Sequence, residues 1–385
     1  MTSYFVVKSG MEVFDLTRAY GLATILDILG GGEVIVKDFE YYFKITCSDS
    51  VNLDNVSNLS AIVVDELNWR SVIRTGNVRD SQQIVKEWIN NKKNIEITLK
   101  KFREIRPFDE KDRRTSIIIT KRKKSGEEVE KKIMEQTLLQ SMEPRATKGF
   151  REEKLGRKYD EGKNVKVPLE DWVLCLVGHL NSTVFFEGER KRGISTKLVA
   201  LLPIPSAEGT LIDAVRRDIK TYLEENLKWH VGGTVPTVTY SAISLRKFIL
   251  QNIYRPSIRK SRISSLLFYC MGRTPRPQAQ WKPEEVGKFD LEQVENYSVK
   301  TLELWEDLLR KINTIDFRGL GDFKDVAIYL SEFINNANNE NLFRCLASYL
   351  RILLCCKSKE KLIPFTPQLF SEESMKEVLK NVRTV

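Results

Sequence analysis

Apolar residues recur at helical spacing near both ends of the chain and at strand spacing between them. Val13, Leu16, Tyr20, Ala23 and Leu26 predict a helix over Glu12–Leu29, and Gly30–Gly32 then supply its cap and turn. A strand at Ser3–Val7 precedes it. Glu33–Val36 and Phe39–Cys47, rich in β-branched and aromatic residues, predict a hairpin after it. Further strands are expected at Leu59–Val64, Ile95–Leu99, Ser116–Thr120, Thr183–Glu187, Ile194–Ile204 and Val235–Tyr240, with Pro203 and Pro205 stopping the fifth of these. Further helices are expected at Ser81–Asn90, Glu127–Met142, Pro168–Asn181, Thr210–Leu227, Ser241–Ile253 and Ser257–Met271.

From Asp290 onward only helical spacing remains. Val299–Asn313, Asp322–Asn335, Glu340–Cys356 and Ser371–Arg383 each carry an apolar stripe, such as Leu302, Trp305 and Leu309 on the first. Short polar connections favour antiparallel neighbours, hence a helical bundle. The expected class is α+β: a mixed α/β portion over 1–283 with basic loops and hairpins, followed by a C-terminal helical bundle over 284–385. A basic insertion occupies about 100–166, and Arg145–Val167 at its end reads as a mobile loop or as a segment ordered only on a polyanion.

Charge adds a feature that periodicity does not show. The chain has 62 basic and 52 acidic residues, a net charge of +10. The stretch 226–283 contains no acid and carries Lys228, Arg246, Lys247, Arg255, Arg259, Lys260, Arg262, Arg273, Arg276 and Lys282. The rest of the chain is formally neutral. Trp229, Tyr240, Phe248, Tyr254, Phe268, Tyr269 and Trp281 fall in the same stretch. Cations with aromatics suit a polyphosphate partner, through counterion release and base stacking; a solvated basic face over core aromatics is the plainer reading. Arg259, Lys260 and Arg262 would open the Ser257–Met271 helix, where the dipole disfavours cations and an external anion would relieve them.

Two cation groups stand outside this stretch. Lys121, Arg122, Lys123 and Lys124 follow a strand and suit a hairpin tip, a phosphate clamp or a nuclear localisation signal. Arg190, Lys191 and Arg192 sit between Gly188 and Gly193 on a hairpin finger able to reach a groove or remain a solvated turn. Gly272–Pro283 holds three prolines and reads as an extended loop. In it Arg273, Arg276 and Lys282 would meet phosphates and Gln278 and Gln280 base edges, unless the loop is only an inter-domain linker.

Catalytic signatures are scarce. There is no phosphate loop, no Gly-x-Ser-x-Gly elbow, and His179 and His230 are the only histidines. His179, on an apolar helix, is expected in the core. Asp171 with Glu189-Arg190-Lys191 traces a nuclease-like Glu-x-Lys, but the same spacing recurs at Glu130, Glu152 and Glu161. No metal, cofactor or catalytic residue is expected. Scattered cysteines and the lack of an 18-residue apolar run point to a cytoplasmic protein with buried thiols.

Ser-Tyr-Phe-Val-Val-Lys-Ser-Gly-Met-Glu-Val-Phe-Asp-Leu-Thr-Arg-Ala-Tyr-Gly-Leu-Ala, Ser3 to Ala23, resembles the opening of the large subunits of the type I-A CRISPR surveillance complex, Cascade. The layout of an α/β portion with basic loops before a helical bundle is similar too. The resemblance implies a non-enzymatic role with crRNA, double-stranded target DNA, backbone and small subunits, and a helicase-nuclease as partners. It also implies reading of the protospacer-adjacent motif and stabilisation of the R-loop. In guided recognition, base pairing reads sequence while protein reads a short motif and holds backbone. The competing classes are a metal-dependent nucleic-acid enzyme or transposition factor, and a scaffold for acidic proteins.

Overall fold

A computed structural model describes residues 1–63, 69, 78–108, 115–122, 127–146, 165–188, 196–227, 233–273, 281–314, 321–336, 339–355, 366–369 and 371–381. The first unit is β1 (Thr2–Val7), α1 (Glu12–Ile28), β2 (Val34–Asp38) and β3 (Tyr42–Cys47). Gly30 and Gly32, with φ of 85° and 67°, turn the chain after α1. A 3₁₀ helix (Leu53–Val63), α2 (Val78–Ile89) and α3 (Lys92–Lys101) follow. Next come β4 (Ile117–Arg122), β5 (Glu128–Ile133), β6 (Glu135–Thr137) and β7 (Lys166–Pro168). Then α4 (Leu169–Ser182), β8 (Val184–Glu187), β9 (Thr196–Pro205) and β10 (Thr210–Leu211) lead to a π-helical turn (Ala214–Ile219) and α5 (Lys220–Asn226). After α6 (Thr234–Gln251) and the one-turn α7 (Pro256–Arg259) come β11 (Ile263–Arg273) and β12 (Lys282–Asp290). The chain ends in α8 (Glu292–Glu295), α9 (Val299–Thr314), α10 (Gly321–Asn336), α11 (Asn339–Cys355), α12 (Thr366–Leu369) and α13 (Glu372–Asn381).

The α+β class holds, with helices alone after β12 among the described residues. Two four-stranded antiparallel sheets organise the molecule, in the orders β1-β3-β2-β10 and β12-β11-β9-β8. The second sheet is a wall between two cores. Leu198, Ala200 and Leu202 of β9, with Leu267, Tyr269 and Met271 of β11, join the core built on α1 and α4. Their neighbours Val199, Leu201, Leu266, Phe268 and Cys270 join the core shared with α6, α9, α10 and α11. Period-two alternation buries both faces, so each strand reads as a continuous apolar run. Residue 283 therefore lies inside a strand of this wall. The helices beyond it share a core with α6, so no linker separates 1–283 from 284–385 there.

α1 and α4 cross in backbone contact. A Cβ on Gly21 would lie 1.9 Å from the Leu174 carbonyl oxygen, and one on Gly178 would lie 1.8 Å from that of Thr17. This closeness brings Arg18 onto Asp171. Arg18 donates to Asp15 Oδ1 at 2.6 Å, Asp171 Oδ1 at 2.7 Å and the Val7 carbonyl at 2.9 Å. Phe14 and Phe108 cover its guanidinium. Lys101 extends the network to Glu170 and Asp171, and Thr115 donates to Glu170. Glu143, also buried, accepts the Val13 and Phe14 N–H groups at the start of α1, where a carboxylate complements the helix dipole.

Several expectations fail where tertiary pairing overrides local preference. Glu127–Met142 forms β5 and β6, because Ile117 and Ile119 on β4 need a partner and Ile133 lies directly opposite Ile117. Ile95–Leu99 belongs to α3, which the Asn91 side chain caps by accepting Lys93 N–H and Asn94 N–H. Leu59–Val63 is 3₁₀ helix. Val235–Tyr240 opens α6, where Thr237 and Ser241 hydroxyls bond the carbonyls four residues back and the turns are buried. Ser257–Met271 is α7 and then β11, since an apolar run hydrogen-bonded on both edges suits a central strand. Pro203 does not stop β9; it lies opposite Leu266, and its carbonyl accepts the Tyr20 hydroxyl. Thr210–Leu227 begins as the short strand β10 before turning helical.

His179 is buried in the core as expected, its Nδ1 3.0 Å from the Thr183 hydroxyl. Cys47, Cys175, Cys270 and Cys345 are buried free thiols. Among the described residues no helix is long and apolar enough to cross a membrane.

Candidate nucleic-acid interface

The cations predicted from sequence fall into two structural groups. The first lies on the body of the acid-free stretch, and carboxylates from elsewhere in the chain meet it. Arg246 on α6 faces Glu295 at 3.4 Å, and Lys247 pairs with Glu306. Arg255 at the start of α7 pairs with Asp218 at 3.1 Å, Lys260 with Glu33, and Arg262 with Glu208 at 3.6 Å. Arg259 is exposed and makes no ion pair among the described residues. Arg259 and Lys260 end a one-turn helix and Arg262 precedes a strand. The expected unfavourable helix-dipole position is therefore absent. The aromatics of this stretch are also spoken for. Tyr240, Phe248, Phe268, Tyr269 and Trp281 are core residues, and Tyr254 is exposed. Trp229 lies outside the described residues.

The second group sits at hairpin connections. β4 and β5 pair antiparallel, with Lys121 opposite Val129 and Arg122 opposite Glu128. The basic tetrad therefore marks a hairpin connection, one of its possible readings, with Lys123 and Lys124 outside the described residues. The other two connections start and end on residues at one end of the second sheet. Thr196, the first residue of β9, lies opposite Arg273, the last of β11. Gly272 is paired with Lys197 on one side and Lys282 on the other, and the Gly188 N–H donates to the Lys197 carbonyl at 2.8 Å. The β8–β9 and β11–β12 connections therefore leave from adjacent positions. Arg190, Lys191 and Arg192 of the first, and Arg276, Gln278 and Gln280 of the second, lie outside the described residues.

Two residues at this sheet end were not singled out by sequence. The β11–β12 register shifts between Cys270 and Met271, so Glu284 has no opposite partner, and its carboxylate takes Lys197 at 2.8 Å. A bulge of this kind re-aims one side chain and sharpens the local twist. Glu284 lies against Gly272, where a Cβ would come within 1.9 Å of its Oε1. Neither the bulge nor the Lys197 pairing has a signal in local spacing.

The nuclease-like trace does not assemble around Asp171. That carboxylate is buried and held by Arg18 and Lys101, and Glu189, Arg190 and Lys191 lie outside the described residues. Burial and charge shift other groups. Desolvation raises Glu170, and Lys101 only partly offsets it. Burial pushes Glu143 up to about 7 and His179 down to about 3.

No family model matches the chain. It is similar to an uncharacterized protein of Archaeoglobus fulgidus, with 28% identity over 363 residues, spanning 91% of this chain and 92% of that protein.

Proposed function

We propose that this chain is the non-catalytic large subunit of an RNA-guided Cascade effector. In that role it binds target duplex, reads the protospacer-adjacent motif, steadies the R-loop and helps recruit a helicase-nuclease. The observation that carries the reading is that two connections leave from adjacent strand ends at one end of the second sheet. They are remote in sequence, and each bears cations. Two basic connections leaving from adjacent strand ends suit a duplex: in this reading one follows phosphates while the other brings Gln278 and Gln280 to base edges. The resemblance of Ser3–Ala23 supports the same reading.

The test compares the wild type with a variant carrying Ala at Arg190, Lys191, Arg192 and Arg276. Duplex binding is measured over a salt series, alone and with the neighbouring backbone subunits and guide. The expected result is weaker binding and a salt slope shallower by about 0.9 for each phosphate no longer neutralised. A folded variant with unchanged affinity and slope overturns the reading. So does cleavage of nucleic acid by the purified chain with magnesium or manganese.

A further inference from the structure

The outer face of the first sheet is divided: Ile35 and Leu211 pack on the second core, and the end bearing Phe5, Lys37, Tyr42 and Lys44 is left half-buried. The sheet's inward residues, Tyr4, Val6, Phe43, Ile45, Val34 and Val36, pack in the core built on α1. The alternate positions form rows across the three strands β1, β3 and β2. In one row Phe5 lies opposite Lys44, and Lys44 lies opposite Lys37. In the next row Val7 lies opposite Tyr42. Phe5 and Tyr42 meet edge to face with ring centroids 5.6 Å apart, and Phe39 lies 5.2 Å from Tyr42. Phe5, Lys37, Tyr42 and Lys44 are all half-buried, and neighbouring Tyr41 is 70% exposed.

This row is costly as a purely structural arrangement. Like charges directly opposite on adjacent strands repel. Neither Lys37 nor Lys44 has a carboxylate partner among the described residues; Asp38, the acid nearest in sequence to Lys37, is taken by Lys8 at 2.5 Å. The Lys37 stem packs on Gly209, where a Cβ would lie 3.0 Å from its Cγ.

We propose that this face is a platform for single-stranded nucleic acid, with bases stacking on Phe5 and Tyr42 and phosphates meeting Lys37 and Lys44. An antiparallel sheet presenting aromatics is a recurrent base-stacking surface, and stacking accepts any base. Phosphates between the lysines convert their repulsion into shared attraction. The site lies on the first sheet and takes a different ligand, an unpaired strand and not a duplex.

The test uses the full chain and labelled oligouridylate and oligothymidylate of roughly 12 nucleotides. Lys37→Ala with Lys44→Ala should make the salt slope shallower by about 1.4, at roughly 0.7 per phosphate on single strands. It should leave thermal stability unchanged or raised, because the repulsion is gone. Arg at both positions should restore binding. Tyr42→Leu should weaken binding roughly 5- to 150-fold through weaker stacking. The ratio of the two oligomers' affinities identifies RNA or DNA as the preferred strand. Ala at Arg190, Lys191, Arg192 and Arg276 should leave single-strand binding intact, so failure of the duplex reading is seen separately. A folded Lys37→Ala/Lys44→Ala variant with unchanged single-strand affinity and slope overturns the proposal.

Discussion

Arg18 and Arg255 both sit beside aspartates, yet the two regions handle charge differently. Around Arg18 the side chains of Asp15 and Asp171 are 2% and 1% exposed, and aromatic rings cover the guanidinium. Water cannot substitute for a missing partner there. Arg255 and Asp218 meet at the surface, with side chains 45% and 18% exposed. A partner removed from that surface is replaced by water and ions. The same pair chemistry is thus an obligatory strut in one place and an optional pairing in the other. A cation free to bind phosphate is sought among the optional ones and at the hairpin tips.

The largest effect should come from breaking the strut. Arg18→Met leaves the buried Asp15 carboxylate without its cation and Asp171 with Lys101 alone, at 3.5 Å, and about 3–5 kcal/mol of stability should be lost in denaturant unfolding. A loss under about 1 kcal/mol would mean that the network is hydrated and that the contrast with Arg255 fails.

The next effect depends on pH. Glu143 titrates at about 7 when folded against an ordinary 4.5, so the folded state holds the extra proton between those values. Stability from this group is complete below pH 4.5 and is lost as pH rises to 7, by roughly 3 kcal/mol at about 1.4 per unit. His179 has the opposite sign. Its folded value is about 3 against 6.5, so stability falls as pH drops from 6.5 toward 3. The two oppose each other between pH 4.5 and 6.5. Glu143→Gln should leave the histidine slope alone and become more stable than wild type as pH rises to 7, which thermal melts from pH 4.5 to 8 would detect. Parallel curves would count against a buried titrating carboxyl.

The smallest effect is expected at the paired surface. Ala at Arg255, Arg259, Lys260 and Arg262 should cost less than about 1 kcal/mol per ion pair. It should flatten the duplex salt slope less than the tip variant does, because Asp218, Glu33 and Glu208 already neutralise three of the four cations. Equal flattening by the two variants would move the main duplex contact onto this surface.

The parts of the fold legible in sequence are those in which local pattern and tertiary need agree. The β1-α1-β2-β3 unit follows from alternation, an apolar helical stripe and glycines at the turn. α9, α10, α11 and α13 follow from stripes that pack on a single core. The β8–β9 hairpin was legible for the same reason. The candidate site was legible only as composition: its cations could be counted, and neither their grouping at one sheet end nor the bulge at Glu284 could be.

By itself the sequence determined where helices with a single apolar face would form, and which stretches carry cations. Tertiary structure decided that Ile263–Arg273 is a strand between two cores, because an apolar run suits a buried helix or a buried strand equally until hydrogen-bonding partners exist on both edges. It also decided that, among the described residues of the acid-free stretch, Arg246, Lys247, Arg255, Lys260 and Arg262 meet carboxylates. Lys260 meets Glu33 across 227 residues of chain, and Arg255 meets Asp218 from the other side of α6. Coulomb energy depends on distance in space, so an imbalance along the chain becomes a surface potential only where folding leaves it unopposed.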